Sequence, residues 1–106
     1  MKPYEKMNKL LDFYECLLTA KQQEIMNYYY RDDYSLSEIA ENLKITRSAV
    51  QDNIKRASHS LETYETKLKL SKKYHHRLTL YEKLNLMDDS KIKEIYKQLL
   101  ESEDEV

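Results

Sequence analysis

The sequence predicts an all-α fold: a helix-turn-helix domain, a long helical extension and a final C-terminal helix. Three observations carry this. The 106 residues contain no glycine and a single proline, Pro3, so little in the chain breaks helices or makes hairpin turns. The helix formers Leu, Glu, Lys, Gln and Ala dominate. Residues 35–57, SLSEIAENLKITRSAVQDNIKRA, carry apolar side chains at helical spacing on both sides of a short interruption.

Residues 4–17 read as a first amphipathic helix, with Pro3 fitting its start. Met7, Leu10, Leu11, Tyr14, Leu17 and Leu18 mark one face. Cys16 lies beside Leu17 and Leu18 and reads as a small core residue. Thr19 caps a second helix, with Gln22 in the capping-box position. Ile25, Met26, Tyr28 and Tyr29 are its inward residues. Tyr28, Tyr29 and Tyr30 cannot all be buried on one helix. At least one is expected to be exposed or to lie under the loop at 31–34.

Ser35 caps the third helix and Glu38 completes a capping box. Leu36, Ile39, Ala40 and Leu43 form its apolar stripe. Lys44 stands at the turn position often held by glycine, and Ile45 plugs the turn. Thr46 caps a fourth helix whose Val50, Ile54 and Ala57 face inward. That is the helix-turn-helix arrangement, whose second helix can enter a DNA major groove.

The spacing continues through Leu61, Tyr64 and Leu68 as a heptad-like seam. It resumes in a shifted register at Leu70, Tyr74, Leu78 and Tyr81. A straight helix from 47 to 85 would be about 58 Å long, longer than a domain this size is wide. The helix either bends near Ser71 to His76 and folds back, or projects and pairs with a second subunit. Pairing makes Leu61, Tyr64, Leu68, Tyr74, Leu78 and Tyr81 the candidate homodimer interface. Asp88, Asp89 or Ser90 caps a last helix striped by Ile92, Ile95, Tyr96, Leu99 and Leu100. The expected organisation is a helix-turn-helix domain over 1–70, a helical extension over 71–101 and an acidic, disordered tail over 102–106.

Composition excludes several functions. P-loops and dinucleotide fingerprints need glycine. The histidines do not form a metal site: His75 and His76 diverge by about 100° on a helix, and His59 has no Cys or acidic partner at zinc spacing. Catalysis, metal and cofactor are therefore not expected. With one cysteine, no internal disulfide forms. No apolar run reaches membrane-spanning length and no apolar leader segment is visible, so the expected location is the cytoplasm, with no membrane partner. Charged residues make up 35% and the mean hydropathy is −0.87, so the surface is well solvated.

Net charge is −1, but it is unevenly spread. Residues 35–77 hold nine basic and five acidic groups, for +4, whereas residues 78–106 hold four and eight, for −4. The basic middle suits phosphate. With Val50, Ile54 and Ala57 inward, Ser48, Asp52, Lys55 and His59 point out, flanked by Arg47, Gln51 and Arg56. Arg47 is suited to guanine and Gln51 to adenine. Lys44, Lys55 and Arg56 reach phosphates. Lys67, Lys69, Lys72, Lys73 and Arg77 extend the basic surface. Asp52 counts against DNA, because a carboxylate repels phosphate and accepts only from cytosine.

Residues 18–57, from LTAKQQEIMNYYYRDDYSLSEIA onward, resemble the C-terminal helix-turn-helix region of bacterial sigma factors. Positions matching Gln51 and Asn53 are often basic there and are neutral here. The whole chain, including KLKL and LYEKLNL, resembles the YlxM-like family of small bacterial helix-turn-helix proteins encoded near signal recognition particle genes. The motif points to a regulatory role, whereas the family resemblance implies proximity to signal recognition particle genes and not a mechanism. The expected ligand is duplex DNA, the more familiar one for the motif, or RNA. The alternative is a non-catalytic accessory role on signal recognition particle RNA or its GTPase protein.

Overall fold

The computed structural model describes residues 4–104. Among the described residues six α-helices follow one another: α1 Tyr4–Tyr14, α2 Ala20–Met26, α3 Leu36–Leu43, α4 Arg47–Leu68, α5 Leu70–Asn85 and α6 Ser90–Glu103. The expected helix start at Pro3 lies outside the described residues. The chain divides into two compact units, Met1–Ser71 and Lys72–Val106.

The core belongs to the first unit. Met7, Leu10, Leu11 and Tyr14 of α1 pack with Ile25, Met26, Ile39, Val50, Ile54, Ala57 and Leu61. Each large apolar side chain so buried contributes about 1.5–3 kcal/mol. α1 does not run to residue 17. It tightens into a 3₁₀ turn over Glu15–Leu17, which brings Leu18 into the core and turns Leu17 and Cys16 out. Cys16 is therefore an exposed thiol, not a core residue.

The expected Thr19–Gln22 capping box starts α2: each residue's backbone N–H donates to the other's side chain at 3.1 Å. α2 then widens into a π-helical turn over Asn27–Arg31. The extra residue in that turn shifts the helix register. Tyr30, and not Tyr28 or Tyr29, is consequently the buried tyrosine. Tyr28 stacks on Tyr34 of the following loop, with centroids 4.9 Å apart. Arg31 ties the turn down: its guanidinium donates to Glu15 Oε2 at 2.7 Å, Asn27 Oδ1 at 2.9 Å and Asp12 Oδ1 at 2.8 Å. The Asn27 amide adds a 3.0 Å bond to Glu15 Oε1. That bond, followed by the Arg31 partner, holds the Glu15 carboxyl below its usual range against the opposing effect of burial.

The long helix is interrupted at Lys69, earlier than the expected bend at 71–76. Lys69 adopts φ 56°, ψ 30°, and so does not continue α4. Asp33 and Lys44 share its positive φ. A chain without glycine has only such residues for left-handed positions, each at a cost of roughly 1–2 kcal/mol.

In the second unit, the carboxylate of Asp89 accepts from Lys91 and Ile92 N–H and caps α6. Arg77 Nε bonds Glu103 Oε2 at 2.9 Å, and Tyr96 Oη donates to Glu82 at 3.2 Å. The expected disordered tail begins too early. Ser102 and Glu103 are helical, and the Arg77 guanidinium holds the Glu103 carboxylate at 2.9 Å. Of that tail, residues 105–106 lie outside the described residues.

Candidate nucleic-acid interface

The motif is built from local signals. Ser35 Oγ accepts the Glu38 N–H at 3.1 Å and Glu38 Oε1 accepts the Ser35 N–H at 3.0 Å. α3 ends at Lys44 with φ 56°, ψ 43°. Ile45 N–H bonds the Ala40 carbonyl at 3.1 Å and Lys44 N–H the Glu41 carbonyl at 3.4 Å, the two bonds of a Schellman ending. Ile45 packs on the core. Thr46 Oγ1 then accepts the Ala49 N–H at 3.0 Å and starts α4. Turn and cap together aim α4 without a glycine.

Val50, Ile54, Ala57 and Leu61 bury one side of α4. Lys44, Arg47, Ser48, Gln51, Asp52, Lys55, Arg56 and His59 are all exposed. Arg47, Ser48, Gln51 and Lys55 lie within the first three turns of α4, so this stretch presents two cations and two uncharged hydrogen-bonding groups to solvent. Three side chains in and beside this stretch are engaged. Arg56 Nε lies 3.0 Å from Asp52 Oδ2, so Arg56 is not idle and Asp52 is not a bare anion. Their i,i+4 spacing carried that information. Asn53 is half-buried and its amide donates to the Ala49 carbonyl at 2.8 Å, turning it away from any ligand.

The candidate dimer seam splits. Leu61 is completely buried in the chain's own core. Tyr64 is half-buried, its ring 6.0 Å from that of Tyr14. These two serve α1 against α4, because α1 covers the seam the sequence left open. Leu68 is 45% exposed. Tyr74, Leu78 and Tyr81 lie half-buried on α5, where the Arg77 guanidinium sits 5.8 Å from the Tyr74 ring centroid.

Tyr14 and Glu65 form a constellation that the sequence reading missed. Tyr14 Oη donates to Glu65 Oε1 at 2.6 Å and accepts the Leu70 N–H at 2.9 Å. Glu65 Oε1 also accepts the Ser71 N–H at 3.1 Å. Burial first, and the Glu65 hydrogen bond second, push the Tyr14 phenol above its usual range. No spacing rule links residues 14 and 65, so only the fold reveals this pair. Among the described residues, no helix is long and apolar enough to cross a membrane.

Residues 1–103 match the family model described as “Putative helix-turn-helix protein, YlxM / p13 like”. The UPF0122 protein YlxM of Bacillus subtilis (strain 168) is 49% identical over 98 residues, covering 92% of this chain and 89% of the relative. A UPF0122 protein of Bacillus pumilus is 50% identical over 98 residues, with the same coverage. A UPF0122 protein of Listeria welshimeri is 46% identical over 101 residues, covering 89% and 91%. With its capped helices, its Schellman turn at Lys44 and this match along nearly its whole length, the chain belongs to the YlxM/p13-like family of helix-turn-helix proteins.

Proposed function

We propose that this is a regulatory protein that binds duplex DNA through the outward face of α4, as a homodimer paired through its second unit. The observation that carries the DNA reading is the exposed series Arg47, Ser48, Gln51 and Lys55 on a helix whose other side is buried. In this motif the start of the second helix meets base edges. Arg47 reads guanine, Gln51 reads adenine, and Asp52 accepts from the cytosine amino group. Lys44 and Lys55 hold the backbone, and Arg56 is shared between Asp52 and a phosphate.

The dimer reading rests on packing. No described residue of 72–104 is fully buried, and Leu80, Leu86, Met87 and Ile95 are exposed. A unit this short needs a partner surface to be stable. Tyr74, Leu78 and Tyr81 continue that apolar surface.

A second reading is an accessory role in the signal recognition particle pathway, with contact to the particle's RNA or its GTPase protein. It is favoured by residues 66–81, which include Lys67, Lys69, Lys72, Lys73 and Arg77 and not one carboxylate.

The test is a salt titration of binding to mixed duplex DNA and, side by side, to the particle's RNA. Phosphate-driven affinity falls linearly with salt on logarithmic axes. A steep duplex slope, abolished by Arg47→Glu with Lys55→Glu, supports the DNA regulator. Duplex affinity unchanged by those reversals sinks it. RNA binding that survives them and is lost on Lys72→Glu with Lys73→Glu selects the second reading.

A further inference from the structure

The end of α4 is not written in its local sequence. Residues 66–73, TKLKLSKK, contain no glycine or proline and favour helix. Lys69 is not a capping residue. The contrast with the turn at Lys44 is direct, because there Thr46 supplies a cap of its own.

At the break, side chains of α1 and α4 take the place of helix carbonyls. In an uninterrupted helix the Leu70 and Ser71 N–H groups would bond the carbonyls of Thr66 and Lys67. Here Leu70 N–H bonds Tyr14 Oη and Ser71 N–H bonds Glu65 Oε1. The Tyr14–Glu65 bond at 2.6 Å joins these two acceptors, and the Lys69 N–H closes on the Glu65 carbonyl at 2.8 Å. α5 thus borrows its N-terminal cap from α1 and α4. Tyr14 is completely buried, which keeps water from replacing it. The carboxylate of Glu65 also stands where the positive end of the α5 dipole favours an anion.

We propose that Tyr14 and Glu65 form a conformational latch on the α4–α5 joint. With the latch closed, Lys69 is left-handed and α4 ends at Leu68. With it open, Lys69 relaxes to the right-handed region and the helical hydrogen bonding of α4 continues through Leu70 and Ser71. The intervening residues are helix formers, so the Tyr14 and Glu65 bonds work against the local preference of the chain. Control of the latch lies in α1, whose buried face positions Tyr14.

The test uses the full chain and Tyr14→Phe, which keeps the buried ring and removes the hydroxyl. Backbone couplings of Lys69 give the sign of its φ, and an NOE from Thr66 Hα to the Leu70 amide reports a continuous helix. In the parent chain φ is positive and the NOE absent. In Tyr14→Phe, the expected result is a negative φ and the appearance of the NOE. Adding Lys69→Gly, which favours the left-handed turn, should reverse both. If Tyr14→Phe does not fold, Glu65→Ala removes the shared acceptor and is read the same way. A positive φ at Lys69 in a folded latch variant overturns the proposal.

Discussion

Arg56 Nε lies 3.0 Å from Asp52 Oδ2 on the outward face of α4. The pair sits where the DNA reading needs cations, so each residue modifies what the other can do. Both side chains are well exposed, and the pair exchanges partners easily. Asp52→Asn should free Arg56 and remove a repelled charge. Affinity for non-specific duplex should rise, and the logarithmic salt slope should steepen by about one phosphate's worth, near 0.9. An unchanged slope would remove Arg56 from the backbone contacts.

The Glu15–Arg31–Asn27 network predicts a pH dependence. Glu15 is held below the usual 4.5, so the folded state favours its ionised form. Its contribution is fully present above about pH 4.5 and disappears as pH falls through the lowered folded value. Its side chain is partly exposed, which limits the contribution to about 1 kcal/mol. Denaturant titration should find Glu15→Gln less stable than the parent at pH 7. The gap should close toward pH 3. A gap that persists there would assign the loss to packing.

The split seam separates folding from association. Leu61→Asp puts a carboxylate into the core, and Leu→Ala alone at such a site costs about 2–5 kcal/mol. Circular dichroism should show an unfolded chain. Leu78→Asp with Ile95→Asp should leave the first unit folded and halve the mass measured by light scattering. Unchanged mass would discard the proposed dimer surface, and a folded Leu61→Asp chain would contradict the core position of Leu61.

Lys44→Gly should stabilise the fold. The left-handed turn costs a non-glycine residue about 1–2 kcal/mol, whereas glycine loses about 0.5–1 kcal/mol more chain entropy on folding. The balance favours glycine by about 0.5–1 kcal/mol, a rise of several degrees in Tm. A lower Tm would mean that the Lys44 side chain itself stabilises the turn.

What was legible in the sequence is what local chemistry decides. The capping boxes at Thr19–Gln22 and Ser35–Glu38, the Thr46 cap and the buried side of α4 need only residues a few positions apart. What was not legible is set by contacts across the fold. The 3₁₀ turn at Glu15–Leu17 and the π-helical turn at Asn27–Arg31 change the register of Cys16, Leu17 and the tyrosines. The Leu70 N–H that follows the left-handed Lys69 bonds Tyr14 Oη, 56 positions away in the sequence. Leu61 looked available for a partner because the heptad pattern cannot tell a neighbouring subunit from α1. At the candidate site, the exposed face was readable, and the Asp52–Arg56 pairing was implied by spacing but emerges only with the geometry.

The concentration of buried side chains between Met7 and Leu61 gives the molecule an order of disassembly. Opening free energy follows local burial, so amides of α5 beyond Ser71 and of α6 should exchange with solvent long before those of α1 and α4. A protease attacking the free chain would meet Lys83, Lys91, Lys93 and Lys97 in that loosely held region. Occupancy of the second unit by a partner would be read directly as protection there. The C-terminal third therefore works as its own reporter: its exchange rate registers whether the protein is alone or engaged.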